Sequence, residues 1–291
     1  MRHIVSEKEL HRLVRELARR TRHEIDKAEI AMDDFDGIAH KYDFKFAWQE
    51  MSLDKDGHYA KGVRIVTLNN RVMHLERRNF SFCHEFTHDR IDCDDALCEI
   101  IHEFTIDMSD EDMERLIERL CNIGAAELLI PSEDVRQVML ERGFSTTLIS
   151  ELCERFGASS IAVAFQMVNC ASHDCYLVIA ENQLVQPTAV HNQISLLNIK
   201  PINVPQEQLV IIYSGASSAA RYSIKRNQAL SNNHFLCGAL HANEPVRGDA
   251  RLPFASGNGW DVPCEALYFR GKVFAFFNRT QPMSNLQMPL F

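Results

Sequence analysis

A chain of 291 residues that is 46% hydrophobic and 24% charged has enough apolar side chains to bury two or three cores, which excludes a disordered or fibrous polypeptide. Its formal charge of −9 works against general affinity for nucleic acid, and no run approaches the ~18 apolar residues of a membrane span. The N-terminal MRHIVSEKELHRLVRELARR lacks the apolar stretch of a secretory signal, and the nine cysteines are odd in number with no C-x-x-C pair, so a reducing, cytoplasmic setting is expected.

In chain order, Ser6 with Glu9 forms a capping-box pattern, and Leu10, Leu13, Val14, Leu17 and Ala18 follow at helical spacing. A long helix is predicted from about 7 into the 30s. Residues 63–70, VRIVTLNN, alternate and are β-branched, which predicts a strand leading into a helix that carries FSFCHEFTH. Ser109 with Asp112 opens a second periodic run, Met113, Leu116, Ile117, Leu120 and Ile123, that ends at Pro131. Residues 1–131 therefore read as one α+β unit.

Residues 132–172 read as helical throughout, in the stretches SEDVRQVMLERGF, TTLISELCERF and ASSIAVAFQMV, punctuated by Gly143 and Gly157. The short turn at Gly157 has a helix-turn-helix shape. A recognition helix needs side chains that reach phosphates and base edges, yet residues 158–169 contain no charged residue. That helix is expected to be buried, and direct sequence-specific DNA binding is not expected. Over 173–291 the pattern changes: YLVIA, QLVIIYSG, ARYSIKR, CEALYF and KVFAFF predict the strands of a second α+β or mostly β domain.

The chemistry concentrates at His84-Glu85-Phe86-Thr87-His88. On a helix the two histidines lie one turn apart on one face and their imidazoles can converge on a single ion, with Glu85 beside them as a base. A catalytic ion needs a third protein ligand, and Glu114, Glu118 and Glu127 on the following helix are candidates. Glu118 and Asn122 share a face with Cys121 and Ala125, and a carboxylate among small and apolar neighbours is costly unless something pairs with it.

RRNFSFCHEFTH followed by ERLCNIGAAELLIP resembles the ImmA/IrrE metallopeptidase family, in particular its IrrE (PprI) branch. The resemblance implies that Glu118 is the third ligand, with Asn122 its companion one turn later. It implies a zincin-like (gluzincin) peptidase domain over 1–131 and a helix-turn-helix-like helical domain over 132–172. Over 173–291, where GASSAARYSIKR and PFASG carry the likeness, it implies a GAF-like α+β sensor domain of unknown small-molecule ligand. CDDALCEIIHE resembles the family's acidic loop and its following histidine, here His102, a candidate for oxyanion stabilisation. The implied cofactor is Zn²⁺, with Mn²⁺ as the other candidate for the working enzyme. The implied activity is site-specific endoproteolysis of an XRE-family (DdrO-like) repressor that induces the radiation and DNA-damage response. The alternative is a ligand- or redox-sensing transcriptional regulator that acts without proteolysis. Cys83 and Cys121, next to the ligand positions, are the thiols a redox link would use, although burial as small apolar residues is the expectation for both.

Overall fold

A computed structural model describes residues 5–185, 205–220, 222–254 and 259–279. It is a mixed α+β protein in which the capping signals act as read. Ser6 Oγ accepts from the Glu9 N–H at 3.3 Å and starts α1, Glu7–Lys27. That helix stops before the 30s, because Ala28 caps it and Glu29 turns into the left-handed region at φ 56°. A second short helix, α2 (Phe35–Tyr42), begins at Asp34, whose carboxylate accepts from the Gly37 N–H. Three strands follow, β1 (Lys45–Gln49), β2 (Gly57–Ala60) and β3 (Ile65–Asn69), in the order β1-β3-β2. β3 lies in the middle, parallel to β1 and antiparallel to β2, so among the described residues one edge of β2 has no partner strand.

Six positions on three faces of α3 (Leu75–Asp92) explain how the motif is held. Phe82 and Phe86, both fully buried, pack into an aromatic cluster in which Phe35 stacks on Phe82 at 4.3 Å and Tyr42 approaches Phe86 at 5.1 Å. Cys83 and Thr87 are buried on a second face, and His84 and His88 occupy a third. Asp89 and Arg90 look out of place at the end of a packed helix, and the fold explains both. Asp89 is 0% exposed and takes a bidentate pair from Arg64, at 2.8 and 3.1 Å. Arg90 bonds the same carboxylate at 2.9 Å and lays its guanidinium over the Tyr42 ring at 4.6 Å. A buried charge with two such partners is tolerable where a lone one would not be.

The stretch read as an acidic loop is helical: α4 spans Asp95–Thr105, because Asp94 accepts from the Leu97 N–H and Leu97 and Ile101 are buried on one side. α5 (Asp110–Leu129) starts at its Ser109 cap and packs on α1 and α3. Leu10, Val14 and Leu17 of α1 meet Leu116, Leu120 and Cys121 of α5 in one apolar cluster with Ile91, Leu97 and Ile101.

The chain clusters into two compact units, Met1–Gln137 with Ser150–Gln166, and Val138–Ile149 with Met167–Phe291. The helices α6 (Ser132–Arg142), α7 (Leu148–Phe156) and α8 (Ser160–Cys170) each run across that division, and α8 is largely buried as expected. Gly157, between α7 and α8, has φ 56°, which a side chain would resist.

The second unit is built on a six-stranded antiparallel sheet. Its strands are β4 (Cys175–Val185), β5 (Gln206–Ala216), β6 (Gln228–Ala229), β7 (Val246–Arg251), β8 (Asp261–Phe269) and β9 (Lys272–Asn278), in the order β6-β5-β4-β9-β8-β7. Four of the predicted strands are present. ARYSIKR is not one of them: its described residues take no strand pairing, and Ile224 instead drops into the core while Ser214 Oγ donates to its carbonyl. Arg221 lies outside the described residues. β7 escapes a sequence reading because VRGDAR is an edge strand with charged, exposed positions. The PFASG phrase falls partly outside the described residues. No helix among the described residues is long and apolar enough to cross a membrane.

Candidate active site

The close approach of α3 and α5 depends on a pair of small residues. Thr87 turns its hydroxyl back to the Cys83 carbonyl at 2.7 Å, and Gly124 of α5 lies against it, so close that a Cβ at 124 would fall 2.4 Å from Thr87 Cγ2. This contact brings α5 alongside the histidine face of α3. His84 Nε2 lies 3.1 Å from Glu118 Oε2, and His88 Nε2 lies 3.4 Å from Glu118 Oε1. One donor atom from each of the three residues lies within 4.8 Å of the others.

The hydrogen bonds around this cluster show what it can hold. His84 Nδ1 is 3.1 Å from Asn122 Oδ1, an oxygen that only accepts, so in the neutral ring the proton sits on Nδ1 and Nε2 is left to turn a lone pair inward. Two ring nitrogens and a carboxylate facing one another as acceptors fit a cation between them, and two imidazoles with one carboxylate is a donor set that zinc takes. Burial lowers the pKa of His88, which favours the neutral form that binds a metal.

Three acids on α5 are separated here by their surroundings. Glu118 meets the histidines, but its side chain is 51% exposed, so the expectation that it sits among apolar neighbours is wrong. Its distance from water does not mark it; its facing the imidazoles does. Glu114 is exposed and only lines the cleft. Glu127 is the buried acid, 2% exposed, and it is already satisfied by Arg19 at 2.8 Å, by the Ser132 hydroxyl at 2.7 Å and by Gln166.

Glu85 lies beside the cluster in an open cleft of about 610 Å³ lined also by Gly57, His58, Tyr59 and Ser81. Burial first, then the Glu118 carboxylate, push its pKa up to about 7, against a hydrogen bond from the Tyr59 backbone N–H. A carboxylate poised there can take a proton and give it back near neutral pH. The Tyr59 ring lies parallel to that of His88, 6.2 Å away, and its hydroxyl is 3.4 Å from Asp89. The pattern of the sequence missed Gly57 and Tyr59, since a four-residue edge strand after a polar loop leaves little periodicity to read. His102 is exposed on α4 and does not line the cleft, so it has no place beside the reacting groups. Cys83 and Cys121 are fully buried, and burial pushes the Cys83 thiol up to about 12 and raises Cys121 as well.

Comparison with known proteins agrees with this geometry. Residues 44–167 match the model of the IrrE N-terminal-like domain, Peptidase_M78. The chain is 25% identical over 224 residues to the radiation response metalloprotease IrrE of Deinococcus deserti, covering 77% of this chain and 74% of that protein. It is 26% identical over 240 residues to the protein of the same name from Deinococcus radiodurans, covering 81% and 68%. Among solved structures, a Mycobacterium tuberculosis transcriptional regulator shares the fold with a TM-score of 0.54 and 11% identity, over 90% of this chain and 76% of that one. The peptidase-domain match spans the HExxH helix and Glu118, and both relatives align over most of this chain, so the comparisons support the likeness to the ImmA/IrrE metallopeptidase family and its IrrE branch.

Proposed function

We propose that the protein is a metal-dependent, site-specific endopeptidase in which His84, His88 and Glu118 hold the ion and Glu85 is the base. The observation that carries this reading is the convergence of three donor atoms within 4.8 Å beside a carboxylate raised to about 7 in an open cleft. A divalent ion held there, Zn²⁺ or Mn²⁺, would supply Lewis-acid polarisation of water and of the scissile carbonyl. Glu85 accepts the proton of the attacking water and passes it to the leaving amine. Asn122 fixes the His84 ring so that Nε2 stays aimed at the centre.

The domain reading goes with this proposal: a zincin-like domain over 1–131, a helix-turn-helix-like segment over 132–172 and a GAF-like domain over 173–291 whose ligand is open. Its substrate is an XRE-family (DdrO-like) repressor, cut in response to radiation or DNA damage in the cytoplasm. The names of the two Deinococcus relatives support the radiation-response part, and nine free cysteines suit a reducing compartment. The regulator that works without proteolysis gains nothing from the thiols near the site, because burial keeps Cys83 and Cys121 protonated.

The test joins metal analysis of the purified protein to cleavage of XRE-type repressors from the source organism. Stoichiometric metal and a single cut are expected, both lost on chelation and restored by Zn²⁺ or Mn²⁺. Operator DNA alone should be bound weakly and without sequence preference. A specific sub-micromolar complex with DNA, together with no cleavage of any such repressor, would favour the non-proteolytic reading.

A further inference from the structure

We propose that strand β2 is the positioning element of the base, and that the placement of Glu85 depends on the absence of a side chain at Gly57. The inference rests on the reading of Glu85 as the base. Side chains alternate along a strand, so residues 57 and 59 of β2 share a face, and both meet the motif of α3. A Cβ at Gly57 would lie 3.0 Å from Glu85 Cγ and 3.2 Å from Glu85 Oε1. Gly57 has an ordinary strand backbone with no positive φ, so the constraint there is space and not conformation. Two residues on, the Tyr59 N–H donates to the same carboxylate and the Tyr59 ring lies along His88.

The wall behind Gly57 does not yield easily. Leu68 Cδ2 would also be 3.0 Å from the added Cβ, and Leu68 is 1% exposed in the core. β2 itself is held by its register on β3, Gly57 opposite Leu68 and Tyr59 opposite Val66. The loop before it is fastened by Asn69, whose N–H donates to the Asp56 carbonyl at 2.8 Å and whose side-chain amide donates to the Ser52 and Lys55 carbonyls at 3.1 and 2.7 Å. With strand and core fixed, a methyl at 57 pushes Glu85 toward the open cleft. The ligands stay in place, because they stand on α3 and α5.

The test uses the full chain loaded with Zn²⁺ and a repressor that the wild type cuts. Gly57→Ala should retain its metal and its KM while kcat falls about 10-fold or more, the scale on which misplaced groups lose rate. A second readout does not depend on activity. In the metal-free protein, Gly57→Ala should lower the melting temperature more in the wild-type background than beside Glu85→Ala, which removes the colliding Cγ and carboxylate. Wild-type kcat in Gly57→Ala, or an equal thermal loss in both backgrounds, overturns the proposal. Should Gly57→Ala not fold, folding of the Gly57→Ala/Glu85→Ala pair supports the contact, and failure of both overturns it. Glu85→Gln tests the underlying reading separately. Full activity in it removes the base and this inference together, whereas an inactive Glu85→Gln beside a fully active Gly57→Ala removes only the positioning role.

Discussion

Replacing Gly124 by alanine tests whether the seam between α3 and α5 assembles the metal ligands. The new Cβ would stand 2.4 Å from Thr87 Cγ2 and 3.2 Å from Val14 Cγ1. Against an optimum of ~3.5 Å for carbon contacts, the first is short by roughly 1.1 Å. Thr87 is 2% exposed with its hydroxyl bonded to Cys83, and Val14 is fully buried, so neither moves freely. Overpacking of this kind costs about 1–3 kcal/mol, and the better helix propensity of alanine returns about 1 kcal/mol, leaving a net loss of up to about 2 kcal/mol. For a unit of this size that is a fall in melting temperature of up to about 8 °C. Parting the helices also draws Glu118, on α5, away from His84 and His88, on α3. Chelator competition should therefore show metal affinity reduced by about 10-fold or more. Thr87→Ser, which removes Cγ2 and keeps the hydroxyl, should restore much of both losses. Wild-type stability and wild-type metal affinity in Gly124→Ala would refute the account of the seam.

Glu85→Gln keeps all three ligands, so metal content by elemental analysis should be unchanged while cleavage falls about 10²-fold or more. His84→Ala, His88→Ala and Glu118→Ala should each lose metal, and Glu114→Ala should not; full occupancy in Glu118→Ala would move the third ligand elsewhere. Glu127→Ala should also keep its metal, yet cost about 1–3 kcal/mol in denaturant unfolding, because Arg19 and Gln166 lose a buried carboxylate while Arg19, 41% exposed, can turn to water. In the second unit, burial raises Glu265, but hydrogen bonds from Ser145, Thr146 and Arg247 outweigh it and hold the carboxylate below its usual range. A depressed folded pKa stabilises the fold above the unfolded value of ~4.3 and ceases to do so as pH falls through the folded one. The melting difference between wild type and Glu265→Gln should therefore be constant near neutrality and shrink below about pH 4.5; a difference that does not change down to pH 3 would refute it.

How much of this protein its sequence determines follows from the range of each signal. Ser6, Ser109 and Pro131 mark helix ends because a cap or a missing N–H acts within a turn, and the structure begins and ends α1 and α5 accordingly, apart from the overrun past Lys27. The strand at β3, the helix at α3 and the i, i+4 placement of His84 and His88 are local in the same sense. The motif with its family phrase was enough to name three candidate ligands and a candidate base, and the fold brings those four residues to one cleft. Only the tertiary structure separates the acids of α5 on physical grounds. A rule that a buried carboxylate needs a partner would choose Glu127, whose partner Arg19 lies far away in sequence, over Glu118, which is half exposed. The charged Asp89 likewise makes sense only once Arg64 has been folded against it, and Gly57 and Gly124 only once the residues they spare, Glu85 and Thr87, stand opposite. Hydrophobic pattern and capping act over a few residues, whereas ion pairs, ligand sets and close approaches join segments whose separation along the chain carries no trace of their contact in space.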